Sequence, residues 1–234
     1  MVRLKNGSVI GDREIVLVAE DGALVERRGI DLRSGDWVGL PFAEGFAPEG
    51  FAVPLPRPSE ALHGSQERIW VPDTLNPRLA LLLGMYASEG HTAKPTWTVT
   101  ITNADHGVLA LAQQLWWECF GLRARIVDRD DRCPGVEVSS KSMVLWMEGL
   151  ECGHRASNKR IPWPVMGSNR DVVLAFLQGL ALDAYTSSTG TNGKWAICLD
   201  SNPLLDDLQL LLRWLGLVSG RIGKYNPHYD KTYD

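Results

Sequence analysis

The sequence lacks the features that mark zinc-stapled, membrane-spanning or strongly basic proteins. Its four cysteines, Cys119, Cys133, Cys152 and Cys198, show neither a CxxC pair nor zinc spacing, so we expect free thiols in a reducing cytoplasm. The longest apolar runs are too short and too interrupted to cross a bilayer, which predicts no membrane partner. Lys and Arg number 24 against 28 Asp and Glu, a net charge of −4. Because nucleic-acid binding proteins usually carry a basic surface, any DNA contact must depend on local arginines.

What the chain does have is the composition of an ordinary folded protein. Its 234 residues are 44% hydrophobic and 22% charged, which suffices for one large domain or two modest ones. Near the N-terminus, Ile15–Val18 and Leu24–Val25 flank Asp21-Gly22, a pair typical of β-hairpin turns. Residues 42–67 are rich in Pro, Gly and Ala, which predicts a linker with little regular structure.

Two apolar stretches with a central glycine organise the rest of the chain. Leu82–Gly90 has Gly84 in the middle and Glu89 on the last turn, and a weaker copy around Gly179 ends near Asp183. Glycine in a helix interior costs about 1 kcal/mol against alanine, so we expect a close approach of two helix backbones at these glycines. Side by side, the helices would bring two acids to one end, where they could bind a divalent metal ion.

The flanking patterns predict alternating helices and strands. Asn76-Pro77 begins the first glycine helix, and Asn202-Pro203 begins the last helix, ending at Leu215. Ser168 and Asp171 resemble a capping box before the second glycine helix. Between these helices the expected elements are a strand at Thr96–Thr102, a helix from Asp105 to Phe120, strands at Leu122–Val127, Gly135–Ser139 and Lys194–Leu199, a helix at Ser140–Gly149, and a strand beginning at Arg221–Tyr225.

Polar side chains at alternate strand positions form the predicted DNA surface. A two-stranded ribbon fits the major groove, and arginine reads guanine edges with two hydrogen bonds. The alternative is a solvated hairpin tip whose arginines pair with neighbouring aspartates. The predicted DNA-binding residues are Thr98, Thr100, Thr102, Arg123, Arg125, Arg129, Lys194, Arg221 and Lys224.

The paired glycine helices resemble the LAGLIDADG homing endonucleases found in inteins. The resemblance implies an α+β fold, a pseudo-twofold pair of αββαββα repeats at residues 71–166 and 167–234 with the second repeat truncated, after a linker at 45–70. It also implies double-stranded DNA as partner, Mg²⁺ as cofactor, and Glu89 and Asp183 as catalytic metal ligands. Lys159, in a block similar to the K-x-I-P block of intein endonucleases, is the third expected catalytic residue. Ala184 stands where the second motif acid is usual, which predicts impaired cleavage.

The N-terminal residues 1–44 resemble part of an intein splicing (Hint) domain. The resemblance lies in Asp31-Leu32 followed by Gly35-Asp36 and Pro41. Met1 is not a splicing nucleophile and the chain ends at Asp234 without His-Asn, so we expect it not to splice alone. Two alternatives to an active endonuclease therefore stay open. One is a degenerate relic that binds DNA or merely folds, and the other is a splicing fragment that pairs with a complementary intein polypeptide.

Overall fold

The chain folds as a mixture of helices and antiparallel sheets in two compact units. The computed structural model describes residues 2–3, 9–39, 45–58, 69–128, 132–182, 185–187 and 194–220. One unit comprises Met1–Glu44 and Leu212–Asp234, and the other comprises Gly45–Leu211. None of the helices within the described ranges has the length and apolar character needed to cross a membrane.

The first unit is built on the hairpin that the sequence predicts. The strands β1 (Val2–Arg3) and β2 (Val9–Ile10) pair, and β3 (Ile15–Glu20), β4 (Ala23–Arg28) and β5 (Trp37–Val38) form a second sheet in the order β4-β3-β5. Asp21 and Gly22 join β3 to β4 with φ angles of 49° and 82°. Both angles are positive, as a two-residue hairpin turn requires, so the Asp-Gly prediction is confirmed.

The second unit begins with seven elements in the order αββαββα. They are α1 (Pro77–Glu89), β6 (Gly90–Ala93), β7 (Thr98–Thr102), α2 (His106–Phe120), β8 (Arg125–Val127), β9 (Gly135–Ser139) and α3 (Lys141–Gly149). Asn76 and Asp105 cap α1 and α2 as predicted, by accepting from the Leu79 and Gly107 amides. Ser140 caps α3 by accepting from the Met143 amide, so α3 begins one residue later than predicted. A second series follows: α4 (Trp163–Met166), α5 (Arg170–Ala181), β10 (Tyr185–Ser187), β11 (Lys194–Ala196) and α6 (Asn202–Trp214).

One face of the four-stranded sheet is apolar and the other is polar. The strand order is β6-β7-β9-β8, and every neighbouring pair is antiparallel. Val99, Ile101, Val136 and Val138 are at most 2% exposed and lie on the side where α2 and α3 pack. Because side chains alternate along a strand, the opposite face carries the polar residues. This polar face lines a groove.

Several sequence predictions were wrong by one or a few residues. Asn169, not Ser168, caps α5, because Asn169 accepts from the Val172 amide while the Ser168 hydroxyl donates to the Pro164 carbonyl. Ser201 rather than Asn202 caps α6 by accepting from the Leu204 amide. The two strands predicted from Thr96 and Leu122 begin at Thr98 and Arg125.

Residues 45–58 lack helices and named strands, yet they pack against the rest of the second unit. Val53 and Leu55 are each 7% exposed, and the backbone forms a bridge between Pro54 and Thr74. The Trp146 indole donates to the Pro56 carbonyl at 2.8 Å. The part of the expected linker that the structure describes is thus attached to the core of this unit.

Candidate functional site

The two predicted glycines lie where the backbones of α1 and α5 touch. A Cβ built on Gly84 would lie 2.0 Å from the Phe176 carbonyl oxygen, and one built on Gly179 would lie 2.0 Å from that of Leu81. Real Cβ atoms never come this close to an oxygen, so only glycine permits the packing. The partners are related by one shift of 95 residues, from Leu81 to Phe176 and from Gly84 to Gly179. The interface is therefore locally twofold.

This packing brings the C-terminal ends of the two helices together. Glu89, the last residue of α1, and Leu182, which caps α5, line one small cavity that Gly179 also borders. With the same shift of 95 residues, Ala184 occupies the position equivalent to Glu89, and Asp183 the position equivalent to Ser88. Asp183 and Ala184 lie outside the described residues.

Lys159 lies buried beside the last turn of α1. Its side chain is 1% exposed, and Nζ donates to the Tyr86 carbonyl at 3.0 Å and lies 3.2 Å from the centroid of the Tyr86 ring. Burial lowers the pKa of Lys159 to about 7, while Cys152 and Glu89 act in the opposite direction. We expected this lysine to approach the scissile phosphate. The structure encloses Nζ at the C-terminal end of α1, and the catalytic role of Lys159 stays a prediction.

The segment that carries Lys159 is held by α6. The Asp207 carboxylate accepts hydrogen bonds from Arg160 Nε at 3.0 Å, from Arg160 Nη2 at 2.7 Å and from the Ile161 amide at 3.2 Å. The Ser201 hydroxyl donates to the Lys159 carbonyl. The position of Lys159 under α1 thus depends on a helix of the second series.

The open face of the sheet is a polar groove. One row crosses the four strands from His91 through Thr100 and Glu137 to Arg125, each residue paired in register with the next. Thr100 is 2% exposed, so it forms the floor of the groove, whereas Thr98 is half-buried. The groove encloses about 390 Å³.

The other predicted DNA contacts are spread between the groove, its margins and undescribed parts of the chain. Thr102 lies next to the helix ends, where its hydroxyl donates to the Glu89 carbonyl at 3.1 Å. Arg123 is exposed between two buried neighbours, and Arg125 lies 3.5 Å from the Glu137 carboxylate, measured from Nη2 to Oε2. Arg129, Arg221, Lys224 and the side chain of Lys194 lie outside the described residues.

The described donor groups at the helix ends are one carboxylate and one hydroxyl. Glu89 is a carboxylate beside a small cavity, and the buried hydroxyl of Ser88 in the same wall has no hydrogen-bond partner among the described residues. Within those residues no cluster of three or more His, Cys, Asp or Glu side chains could hold a metal. Of the two predicted metal ligands, only Glu89 lies within the described residues.

Sequence reasoning missed three residues that shape the site. Glu137 stands on the polar side of the alternating strand Gly135–Ser139, so the sequence indicates which face of the sheet it occupies. Its pairing with Arg125 depends on the strand order, which the sequence does not indicate. Tyr86 lies one helical turn before Glu89 and receives Lys159. Asp207 had no local signal, because its partner Arg160 is 47 residues away.

Segments of several larger proteins are similar to this chain. It is 31% identical over 163 residues to the replication factor C small subunit of Methanocaldococcus jannaschii, covering 68% of the chain and 8% of that protein. It is 32% identical over 152 residues to a DNA polymerase of Thermococcus kodakarensis, covering 62% of the chain and 9% of that protein. It is also 30% identical over 156 residues to an A-type ATP synthase subunit of Pyrococcus abyssi, covering 65% and 15%.

The chain spans only 8% to 15% of the length of these relatives. No family model matches it. Among solved structures it is similar to the N-terminal LAGLIDADG domain of DUF199/WhiA, with a TM-score of 0.27 and 17% identity, covering 36% of this chain and 58% of that one.

Proposed function

We propose that this chain is the DNA-recognition and cleavage module of an intein-type homing endonuclease. The observation that carries the proposal is the contact of α1 and α5 at Gly84 and Gly179, which brings Glu89 to the joined helix ends of a unit with an open polar sheet. The relatives add support. Three proteins with different names share a segment of similar length that forms a small part of each, as an inserted element would produce.

The width of the sheet is similar to that of a DNA major groove. Four strands spaced about 4.8 Å apart span roughly 14 Å, and the major groove of B-DNA is about 12 Å wide. Arg123 and Arg125 stand at the β8 edge, where a guanidinium can reach base edges or phosphates. Glu137 competes for Arg125, which weakens unspecific attraction to DNA and makes affinity depend on contacts that displace this carboxylate.

Cleavage in this proposal depends on the carboxylate at the end of α1. Glu89 would hold Mg²⁺ together with Asp183, which follows the described end of α5 in the sequence. The ion would polarise the scissile phosphate and lower the pKa of a bound water. Lys159 acts as a positioning residue in this proposal, because its buried Nζ donates to the Tyr86 carbonyl on the last turn of α1, one helical turn before Glu89.

A cleavage selection tests this function on duplexes of any sequence. The full chain is incubated with a library of random duplexes and Mg²⁺, and the cut ends are captured and sequenced. We expect recovery of one long target sequence with wild-type protein, and its loss with Glu89→Gln or with EDTA. If wild type binds duplex DNA but yields no cut ends, the chain is a DNA-binding relic. If wild type neither binds nor cuts, the proposal fails.

A splicing fragment is the second candidate, supported by the small β-unit. Leu17, Leu24 and Trp37 are 43%, 64% and 80% exposed, an unusual display of large apolar side chains that favours a covering polypeptide. The test places the chain, with its native flanking coding sequence, between two reporter domains. A ligated reporter product detected by mass spectrometry would support splicing, and unligated reporters alone would exclude splicing by the chain together with that flanking sequence.

A further inference from the structure

A second cavity lies beside β6, the edge strand of the sheet. It encloses about 620 Å³, and its walls include His91, Lys94, Glu148, His154 and Arg155. His91 also belongs to the wall of the sheet groove, so the two spaces are neighbours. None of these five residues belongs to the expected catalytic or DNA-reading set.

The loop before Lys159 is held so that His154 can donate a hydrogen bond. Asn158 Oδ1 accepts from the backbone amides of His154 at 3.0 Å and Arg155 at 2.8 Å, which fixes the orientation of the Asn158 side-chain amide. Asn158 Nδ2 then donates to His154 Nδ1 at 3.0 Å. Because Nδ1 accepts, the proton of the neutral imidazole must be on Nε2. The His154 carbonyl also accepts from the Thr92 amide at 3.2 Å, which ties the loop to β6.

The charges in this cavity favour an anion. Lys94 Nζ lies 2.9 Å from the Glu148 carboxylate, so these two charges offset one another. Arg155 is exposed, and its guanidinium has no carboxylate partner among the residues that the structure describes. Two residues that line the cavity, Arg155 and His154, can thus supply a guanidinium and an imidazole N–H, and planar arginine with a second donor suits a phosphate oxyanion.

We propose that this cavity binds a phosphate group, which the backbone of a duplex on the sheet would supply. That DNA supplies the phosphate rests on the proposed function. That the cavity binds an anion rests on the residues of the cavity alone. A phosphate contact here positions the duplex across the β6 edge without reading its sequence.

Binding measurements with one substitution test the DNA arm. The affinity of the full chain for a random-sequence duplex is measured by fluorescence anisotropy over a series of salt concentrations. Each phosphate contact contributes about 0.9 to the slope of log K against log salt. We expect Arg155→Gln to reduce the slope by about 1, and Arg78→Gln, the same charge change at the other end of α1, to leave it unchanged. Equal slopes for wild type and Arg155→Gln overturn the DNA contact while the proposed function stands.

A titration with inorganic phosphate tests the cavity separately. The nitrogen resonances of the His154 ring are followed by NMR in wild type and in Arg155→Gln. Phosphate-dependent shifts in wild type that are lost in Arg155→Gln support the anion site, and they assign it to free phosphate if the wild type does not bind duplex DNA. Absence of shifts together with an unchanged salt slope overturns the proposal entirely.

Discussion

Replacing Gly84 with alanine should destabilise the protein, although the same change stabilises most helices. The new Cβ would lie 2.0 Å from the Phe176 carbonyl oxygen, which belongs to a backbone and cannot rotate away. Separating the helices is overpacking, which costs about 3 kcal/mol at the upper end of its usual range. Alanine recovers roughly 1 kcal/mol of helix propensity. We therefore expect a net loss of about 2 kcal/mol, equivalent to a fall in Tm of about 4–8 °C.

Urea denaturation of three variants checks this value. Gly179→Ala should match Gly84→Ala, and the double variant should lose less than the sum of the two, because one helix separation relieves both clashes. Gly149 on α3 is the control, since its added Cβ would meet no atom within 4 Å. Gly149→Ala should be neutral or more stable by up to about 1 kcal/mol. Gly84→Ala variants as stable as Gly149→Ala would refute the close packing.

Three further predictions concern the residues around the site. Burial lowers the pKa of Lys159 from 10.5 to about 7, so the folded state holds fewer protons than the unfolded state from pH 7 upward. The free energy of unfolding should therefore rise by about 2 kcal/mol between pH 7 and 8.5. Lys159→Met should abolish this rise in urea titrations. Asp207→Asn should raise the pKa of Lys159, because it releases the segment that keeps this lysine buried. Asp206→Asn, on the exposed side of α6, should leave that pKa unchanged. The pKa is measured from the Lys159 Cε resonance, and equal titrations of the two variants would show that Asp207 does not position Lys159. Glu137→Gln should tighten DNA binding about two- to fivefold by releasing Arg125, with Glu118→Gln as the control measured by anisotropy.

Local signals in the sequence were sufficient for most helices and for the glycine contact. Helices α1 and α2 begin as expected after Asn76 and Asp105, because capping depends on residues within one turn. Gly84 and Gly179 predicted a helix contact, because glycine destabilises a helix interior and close packing of two backbones can offset that cost. Asp21-Gly22 fixed the hairpin in the same way, through the positive φ angles that the turn requires.

Features that depend on distant partners were beyond sequence reasoning. The order β6-β7-β9-β8 places Glu137 between Thr100 and Arg125, and no spacing along the chain indicates that row. The burial of Lys159 depends on α6 and on Tyr86, which lies 73 residues away. Trp117 lies among apolar residues in the sequence but is 55% exposed, because its neighbour Trp116 occupies the buried side of α2.

The most direct test of the account is a crosslinking measurement on the two sides of the sheet. A photoreactive benzoylphenylalanine is placed at Thr98 on the open face or at Trp117, which is exposed on the helix that covers the opposite face. Each variant is irradiated with labelled duplex DNA and separated on a denaturing gel. We expect crosslinks from position 98 and none from position 117. Crosslinks from position 117 alone, or equal yields from both, would contradict DNA binding on the open sheet.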